Sequence, residues 1–231
     1  MTDQIKAVKK TRDEIALAYK SEPWWYDVRG FFILTFAYNS TLWSQIGFFS
    51  KNFGKRHLEL AIGSGSMAAL VLGWRRWKGM PAVDIVGVDY AEAMLAGAVH
   101  RFQDQANMEF LLADAADLPL PDNDFDTVNI ANSVHCFPDV RGALKNVYRV
   151  LKPGGTFALN VLLYPRGIWP LKSIAQRINA WGIRKGILVT PYDETVFRNL
   201  LVDTGFELIS DVVKGNCLEV VARKPVVSGG V

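Results

Sequence analysis

The chain has 231 residues, half of them hydrophobic, and a formal net charge of +3. That length corresponds to one domain, or one domain with a cap, with ample apolar material for a core. The mild positive balance argues against a dedicated nucleic-acid binder. Its two cysteines, Cys136 and Cys217, stand outside any CxxC or Cys/His ligand spacing, which argues against a disulfide framework or a metal site.

Residues 1–20 are charged and lack the apolar stretch of a secretory signal. Residues 30–50 carry no formal charge, but Thr35, Asn39, Ser40, Thr41, Ser44 and Gln45 interrupt them. A membrane-spanning helix needs roughly 20 predominantly apolar residues, so this stretch does not read as one. Residues 1–55 instead form an aromatic-rich segment, with Trp24, Trp25, Tyr26, Phe31, Phe32, Phe36, Tyr38, Trp43, Phe48, Phe49 and Phe53. The clusters Lys6/Lys9/Lys10/Arg12, Arg75/Arg76/Lys78 and Arg184/Lys185 read first as solvated helix faces. Weak attraction to an anionic membrane surface is the second reading.

From His57 onward, strand and helix patterns alternate. HLELAI (57–62) reads as a strand, SMAALVLGWRRW (66–77) as a helix, VDIVGVD (83–89) as a strand and AEAMLAGAVHRF (91–102) as a helix. MEFLLAD (108–114) and FDTVNIAN (125–132) follow as strands. DVRGALKNVYRVL (139–151) is a helix capped by Asp139, with Ala143, Leu144, Val147 and Leu151 on one face; KPGG (152–155) is its stop signal, and GTFALNVLL (155–163) is a further strand. A last helix within 190–207 has Thr190 as expected N-cap, Pro191 at its first position, Asp193 as capping-box acid and Gly205 at its end. ELISDVV (207–213) and CLEVVARK (217–224), joined by Lys214-Gly215-Asn216, suit an antiparallel edge hairpin.

Strands that alternate with helices and lack a polar/apolar period imply a mostly parallel sheet covered on both faces. The fold class is α/β, doubly wound, with a seven-stranded sheet. The expected organisation is an N-terminal cap over 1–55, a catalytic domain over 56–224 with a cap insert over 163–189, and a flexible tail over 225–231.

The loop after the first strand, within ELAIGSGSM (59–67), carries Gly63 and Gly65, which let backbone approach a ligand. In a doubly wound sheet that loop lies at the ligand crevice. Alone, Gly63-x-Gly65-x-x-Ala68 with Asp89 also fits a dinucleotide fingerprint, which keeps an NAD-dependent oxidoreductase as the alternative enzyme. It is no P-loop, because no Lys-Ser/Thr follows the glycines. Three acids point instead to S-adenosylmethionine. Glu59 suits the ligand's ammonium group, Asp89 a ribose diol with Tyr90 against the adenine, and Asp114 the adenine amino group with the backbone of Ala115 at the ring edge.

The combination E59-x-A-x-G-x-G65, VGVD89, AD114AADLPLPDNDFD126 and ALKNVYRVLKPGG155 resembles the class I S-adenosylmethionine-dependent methyltransferases. The resemblance runs over about residues 57–161, with a weaker echo in 190–210. Within that family the chain is most similar to the ubiquinone and menaquinone biosynthesis C-methyltransferases. The resemblance implies a Rossmann-like fold, S-adenosylmethionine as cofactor, a tolerated alanine at Ala61 and an N-terminal lid.

Methyl transfer needs a nucleophile held in line and shielded from water. The acceptor is expected near ANSVHCF (131–137), where His135 is the candidate base and Asn132 and Ser133 are candidate lining residues. Tyr19 or Tyr26 is a further candidate for the cofactor's carboxylate. Trp25, Phe32 and Tyr38 in the N-terminal segment, with Trp169, Ile174, Ile178 and Trp181 in the insert, are expected to cap an apolar acceptor site. No Asn/Asp-Pro-Pro-aromatic motif or Pro-Cys nucleophile follows the fourth strand, which disfavours nucleic acid as substrate.

The expected function is methylation of a hydrophobic small molecule: a quinone precursor, a phenolic or polyketide product, or a lipid. A methyltransferase-like protein that binds without turnover is the non-enzyme alternative. The expected location is cytoplasmic, with peripheral membrane contact and a homodimer left open.

Overall fold

The computed structural model describes residues 41–166, 169–185 and 188–226. Trp25, Tyr26, Phe32 and Tyr38, together with Tyr19, lie outside the described residues.

The chain order is α1 (Leu42–Phe49), β1 (Arg56–Leu60), α2 (Ser66–Trp77), β2 (Asp84–Asp89), α3 (Glu92–Arg101), β3 (Met108–Leu112) and β4 (Phe125–Ile130). A 3-10 turn (Val134–Cys136) leads to α4 (Val140–Val150) and β5 (Leu151–Leu162). Then come α5 (Leu171–Lys185), α6 (Glu194–Thr204), β6 (Glu207–Lys214) and β7 (Cys217–Arg223).

The seven strands form one sheet in the order β3-β2-β1-β4-β5-β7-β6. The pairs from β3 through β5 are parallel, whereas β7 runs antiparallel to both β5 and β6. The expected hairpin is therefore present, with β7 inside the sheet and β6 at the edge. β1 has β2 on one side and β4 on the other, so the connections after β1 and β4 diverge and open a crevice beyond their carboxyl ends.

Central strands are buried along almost their whole length, as continuous apolar runs such as DIVGVD require. α4 turns Val140, Ala143, Leu144, Val147 and Val150 onto the main core, which includes the fully buried Phe125, Phe157 and Phe197. Each such aromatic contributes about 1.5–3 kcal/mol by leaving water. α1 belongs to the segment expected as a cap, yet it packs on the scaffold: Phe49 meets Val71 of α2 and Ala158 of β5.

Two local expectations are corrected. KPGG follows the end of α4 at Val150 as expected, but Leu151, expected on the helix face, begins β5, which runs through KPGG instead of starting at Gly155. Gly155 is needed there, since a Cβ would come within 2.8 Å of the Lys152 carbonyl oxygen and 3.0 Å of the Asp126 carbonyl oxygen. The N-cap of α6 is Asp193, not Thr190: its carboxylate accepts from the N–H groups of Thr195 and Val196. The Thr190 hydroxyl donates instead to the Pro191 carbonyl.

Candidate active site

A pocket, partly open to solvent, lies at the carboxyl ends of β1, β2 and β3. Ala61, Gly63, Asp89, Tyr90, Asp114 and Ala115, six of the residues singled out in the sequence, line it together with Ser133. Met94, Cys136, Phe137 and Pro138 add a largely apolar wall; Cys136 and Phe137 belong to the segment expected near the acceptor, whereas Met94 and Pro138 were not singled out.

The loop residues divide the work. Ala61 has φ +58°, a left-handed conformation that costs a non-glycine residue roughly 1–2 kcal/mol. Its small side chain reduces crowding, but the backbone there is one that glycine would adopt without strain. Gly63 has φ +61°, and a Cβ placed on it would meet nothing within 4 Å. Gly65 differs. A Cβ there would lie 2.6 Å from Phe102 Cε2, so Gly65 lets the start of α2 pack on the end of α3. It is not among the residues lining the pocket.

Asp89 ends β2 and ties the loop to the second strand. One carboxylate oxygen accepts the Gly63 N–H at 2.7 Å and the other accepts the Ala91 N–H at 2.8 Å. Burial pushes this carboxyl above the usual carboxylate range, and N–H donors from Ala91, Gly63 and Tyr90 oppose that shift. Asp114 fixes its own turn, accepting the Ala116 N–H at 2.9 Å.

Glu59 is buried, 6% exposed, and is not among the pocket-lining residues. Its Oε1 accepts from Asn129 Nδ2 at 3.2 Å and lies 3.0 Å from His57 Nε2. The other His57 nitrogen is 2.7 Å from the Thr127 hydroxyl, which also accepts the Gly54 N–H. The network continues through Asn129 to Asn52 and on to Thr156. With Thr127 Oγ1 already accepting from Gly54, its hydroxyl proton is available to His57 Nδ1, which leaves Nε2–H to donate to Glu59. No chemistry was expected of His57; here it positions Glu59.

Other expected residues stand apart from the pocket. Asn132, left-handed at φ +56°, closes the turn after β4 through hydrogen bonds with Asn160 and Gln45. His135 is buried in the 3-10 turn beside the pocket but is not among its lining residues, and burial pulls its conjugate acid down to about 4. It is therefore neutral near pH 7 and a weak base. In the insert, Trp169 is 79% exposed, Trp181 is half-buried, and Ile178 packs against Leu162, Leu188 and Cys217; none of them lines the pocket.

The lining chemistry tests which ligand fits. Among the described residues it contains two acids and no lysine or arginine, an unfavourable setting for a pyrophosphate. Asp89 accepts backbone N–H groups from Gly63, Ala91 and Tyr90 and keeps acceptor capacity toward the pocket, so the carboxylate can still receive a hydroxyl group of a ribose. The open space before Gly63 leaves room for the ligand against the loop. The residues fit S-adenosylmethionine, with Asp89, Tyr90, Asp114 and Ala115 around the nucleoside.

Comparison with known proteins agrees. Residues 58–159 match the methyltransferase-domain family. The demethylmenaquinone methyltransferase of Thermus thermophilus is 44% identical over 112 residues, 48% of each chain. The ubiquinone/menaquinone biosynthesis C-methyltransferase of Ectopseudomonas mendocina is 31% identical over 179 residues, 68% of this chain and 67% of that one. The solved structure of a SAM-dependent methyltransferase from Methanosarcina mazei shares the fold with TM-score 0.61 at 20% identity, over 77% of this chain and 97% of that chain. The chain spans about half the length of the Thermus relative and two thirds of the Ectopseudomonas one. It belongs to the class I S-adenosylmethionine-dependent methyltransferases and is related to the ubiquinone/menaquinone biosynthesis C-methyltransferases.

Proposed function

We propose that the protein transfers a methyl group from S-adenosylmethionine to a hydrophobic small molecule, with a reduced quinone precursor as the acceptor class. The observation that carries this reading is the composition of one pocket: Asp89 and Asp114 at its nucleoside end, and Met94, Phe137 and Pro138 on its apolar wall. The similarity to two quinone-biosynthesis methyltransferases supports the choice of acceptor.

When bound, S-adenosylmethionine supplies a methyl group made electrophilic by the sulfonium. The chain's own tasks are orientation and exclusion of water. Asp89 and the Gly63 backbone fix the nucleoside end, and Ser133, Cys136, Phe137 and Pro138 form a further part of the pocket wall. Ser133 itself is held by its hydroxyl, which donates to the Ala131 carbonyl at 2.9 Å. A hydroquinone ring carbon draws electron density from its own oxygens, so its attack on the methyl group needs no strong protein base, and the ring proton that the methyl group replaces then leaves to solvent. This reading gives the neutral, buried His135 no proton-transfer role.

Such acceptors partition into lipid, so the reading places the protein in the cytoplasm with peripheral access to a membrane. No helix among the described residues is long and apolar enough to cross one.

The test is formation of S-adenosylhomocysteine with a demethylmenaquinol bearing a short isoprenoid tail, followed by mass analysis of the quinol. Turnover with the reduced quinone and little with the oxidised form is expected. Cofactor binding without turnover on any quinol, phenol or lipid would favour the non-catalytic reading.

A further inference from the structure

The outer faces of α1 and α2 present a surface that methyl transfer does not use. Trp43 on α1 and Trp77 on α2 are 72% and 70% exposed. Trp74 joins them, its ring centroid 6.2 Å from that of Trp43 and 4.9 Å from that of Trp77. Lys78 Nζ stands 5.1 Å from the Trp74 ring centre and 4.5 Å from that of Trp77. Leu70, one turn earlier on the same stripe of α2, is 44% exposed. A contiguous aromatic patch of this kind marks an interaction surface.

Charge selects the partner. Residues 41–55 and 66–83, which contain α1 and α2, carry Lys51, Lys55, Arg75, Arg76 and Lys78 and not one Asp or Glu. Arg75 is turned inward, over the Phe53 ring and onto the Ser50 carbonyl. The other four cations are exposed. A second copy docked two-fold on this face would set like charges against each other. Protein interfaces also deplete lysine, whereas indole rings with flanking Lys and Arg suit the boundary between acyl chains and anionic headgroups.

We infer that the Trp43–Trp74–Trp77 face docks the protein on an anionic lipid surface, with the indoles at the headgroup boundary and Lys78, Arg76, Lys51 and Lys55 toward the phosphates. None of these residues lines the pocket. Trp77 is the last of the 12 residues of α2, about 16 Å along the helix from Ser66 at the pocket end. The inference extends the proposed use of a lipid-soluble acceptor but rests on different residues, so the two fail separately.

The test is co-sedimentation of the full chain with phosphatidylcholine vesicles and with vesicles of equal parts phosphatidylcholine and phosphatidylglycerol, at low and high salt. The variants are Trp43→Ser/Trp77→Ser and Arg76→Glu/Lys78→Glu, with Ile209→Ser on the exposed edge strand as control. Expected is salt-sensitive binding to the anionic vesicles, weakened about tenfold or more in each double variant and unchanged in the control. Unfolding midpoints and S-adenosylmethionine affinity should stay at wild-type values throughout, showing that the variants fold. Absence of wild-type binding would overturn the inference. So would equal binding by both double variants, which would move the contact elsewhere on the chain, for example to residues 1–40. A dimer that becomes monomeric in the tryptophan variant would overturn it in favour of a protein interface.

Discussion

His57 Nε2 lies 3.0 Å from Glu59 Oε1, two residues apart on one face of β1 and closed off from solvent. Parallel register sets Thr127 beside His57 and Asn129 beside Glu59, so four polar side chains of two neighbouring strands meet under the glycine loop. Glu59→Gln keeps an oxygen for both donors and removes only the charge. Its stability should fall by less than about 1 kcal/mol, while S-adenosylmethionine affinity should fall about tenfold, as expected for loss of a charge-assisted contact. His57→Phe leaves Glu59 and Thr127 short of a partner and should cost about 1–3 kcal/mol in denaturant unfolding. Should Glu59→Gln destabilise as much as His57→Phe and keep full affinity, Glu59 would be a structural acid only.

The two loop glycines should separate binding from folding. Gly65→Ala forces a Cβ to 2.6 Å from Phe102 at φ +77°. Strain and overpacking together should cost about 2–4 kcal/mol. Gly63→Ala, with no atom within 4 Å of its new methyl, should lose only the left-handed strain of about 1 kcal/mol. Its methyl projects where the ligand is expected, so cofactor affinity should drop more than stability does. Thermal unfolding and calorimetric titration of both variants check the contrast.

The buried His135 sets a pH dependence. Its conjugate acid is lowered by burial from 6.5 to about 4, so the folded state binds this proton less readily than the unfolded state. The stabilisation is complete above the unfolded value of 6.5 and is lost as pH falls toward 4. The loss approaches 3 kcal/mol, at about 1.4 kcal/mol per pH unit. His135→Gln should flatten the stability profile between those pH values and leave it unaltered above pH 7. An unchanged acid profile would mean that His135 is not protonated differently on folding.

The sheet was legible because its signals are local. Apolar runs with β-branched residues, Asp139 as helix cap, Gly205 as helix end and the Lys214–Asn216 turn all reflect chemistry within a few positions. The acids at strand ends were legible for the same reason, since a doubly wound fold puts them at one crevice. What escaped is what register and distant packing decide. H-x-E in β1 and T-x-N in β4 share a period, but only the pairing of His57 with Thr127 and Glu59 with Asn129 makes them a network. The role of Gly65 depends on Phe102, thirty-seven positions away in sequence and in contact only through packing. Trp169 and Trp181 have the composition of a cap, yet composition does not orient a side chain, and neither lines the pocket.

Calorimetric titration of S-adenosylmethionine and of NAD into the purified protein, with Asp89→Ala in parallel, tests the central claim most directly. Micromolar binding of S-adenosylmethionine, no binding of NAD, and at least about a hundredfold loss in the variant are expected, since Asp89 holds both the loop and the ribose end of the site. NAD binding without S-adenosylmethionine binding, or full affinity retained in Asp89→Ala, would contradict the assignment of this pocket.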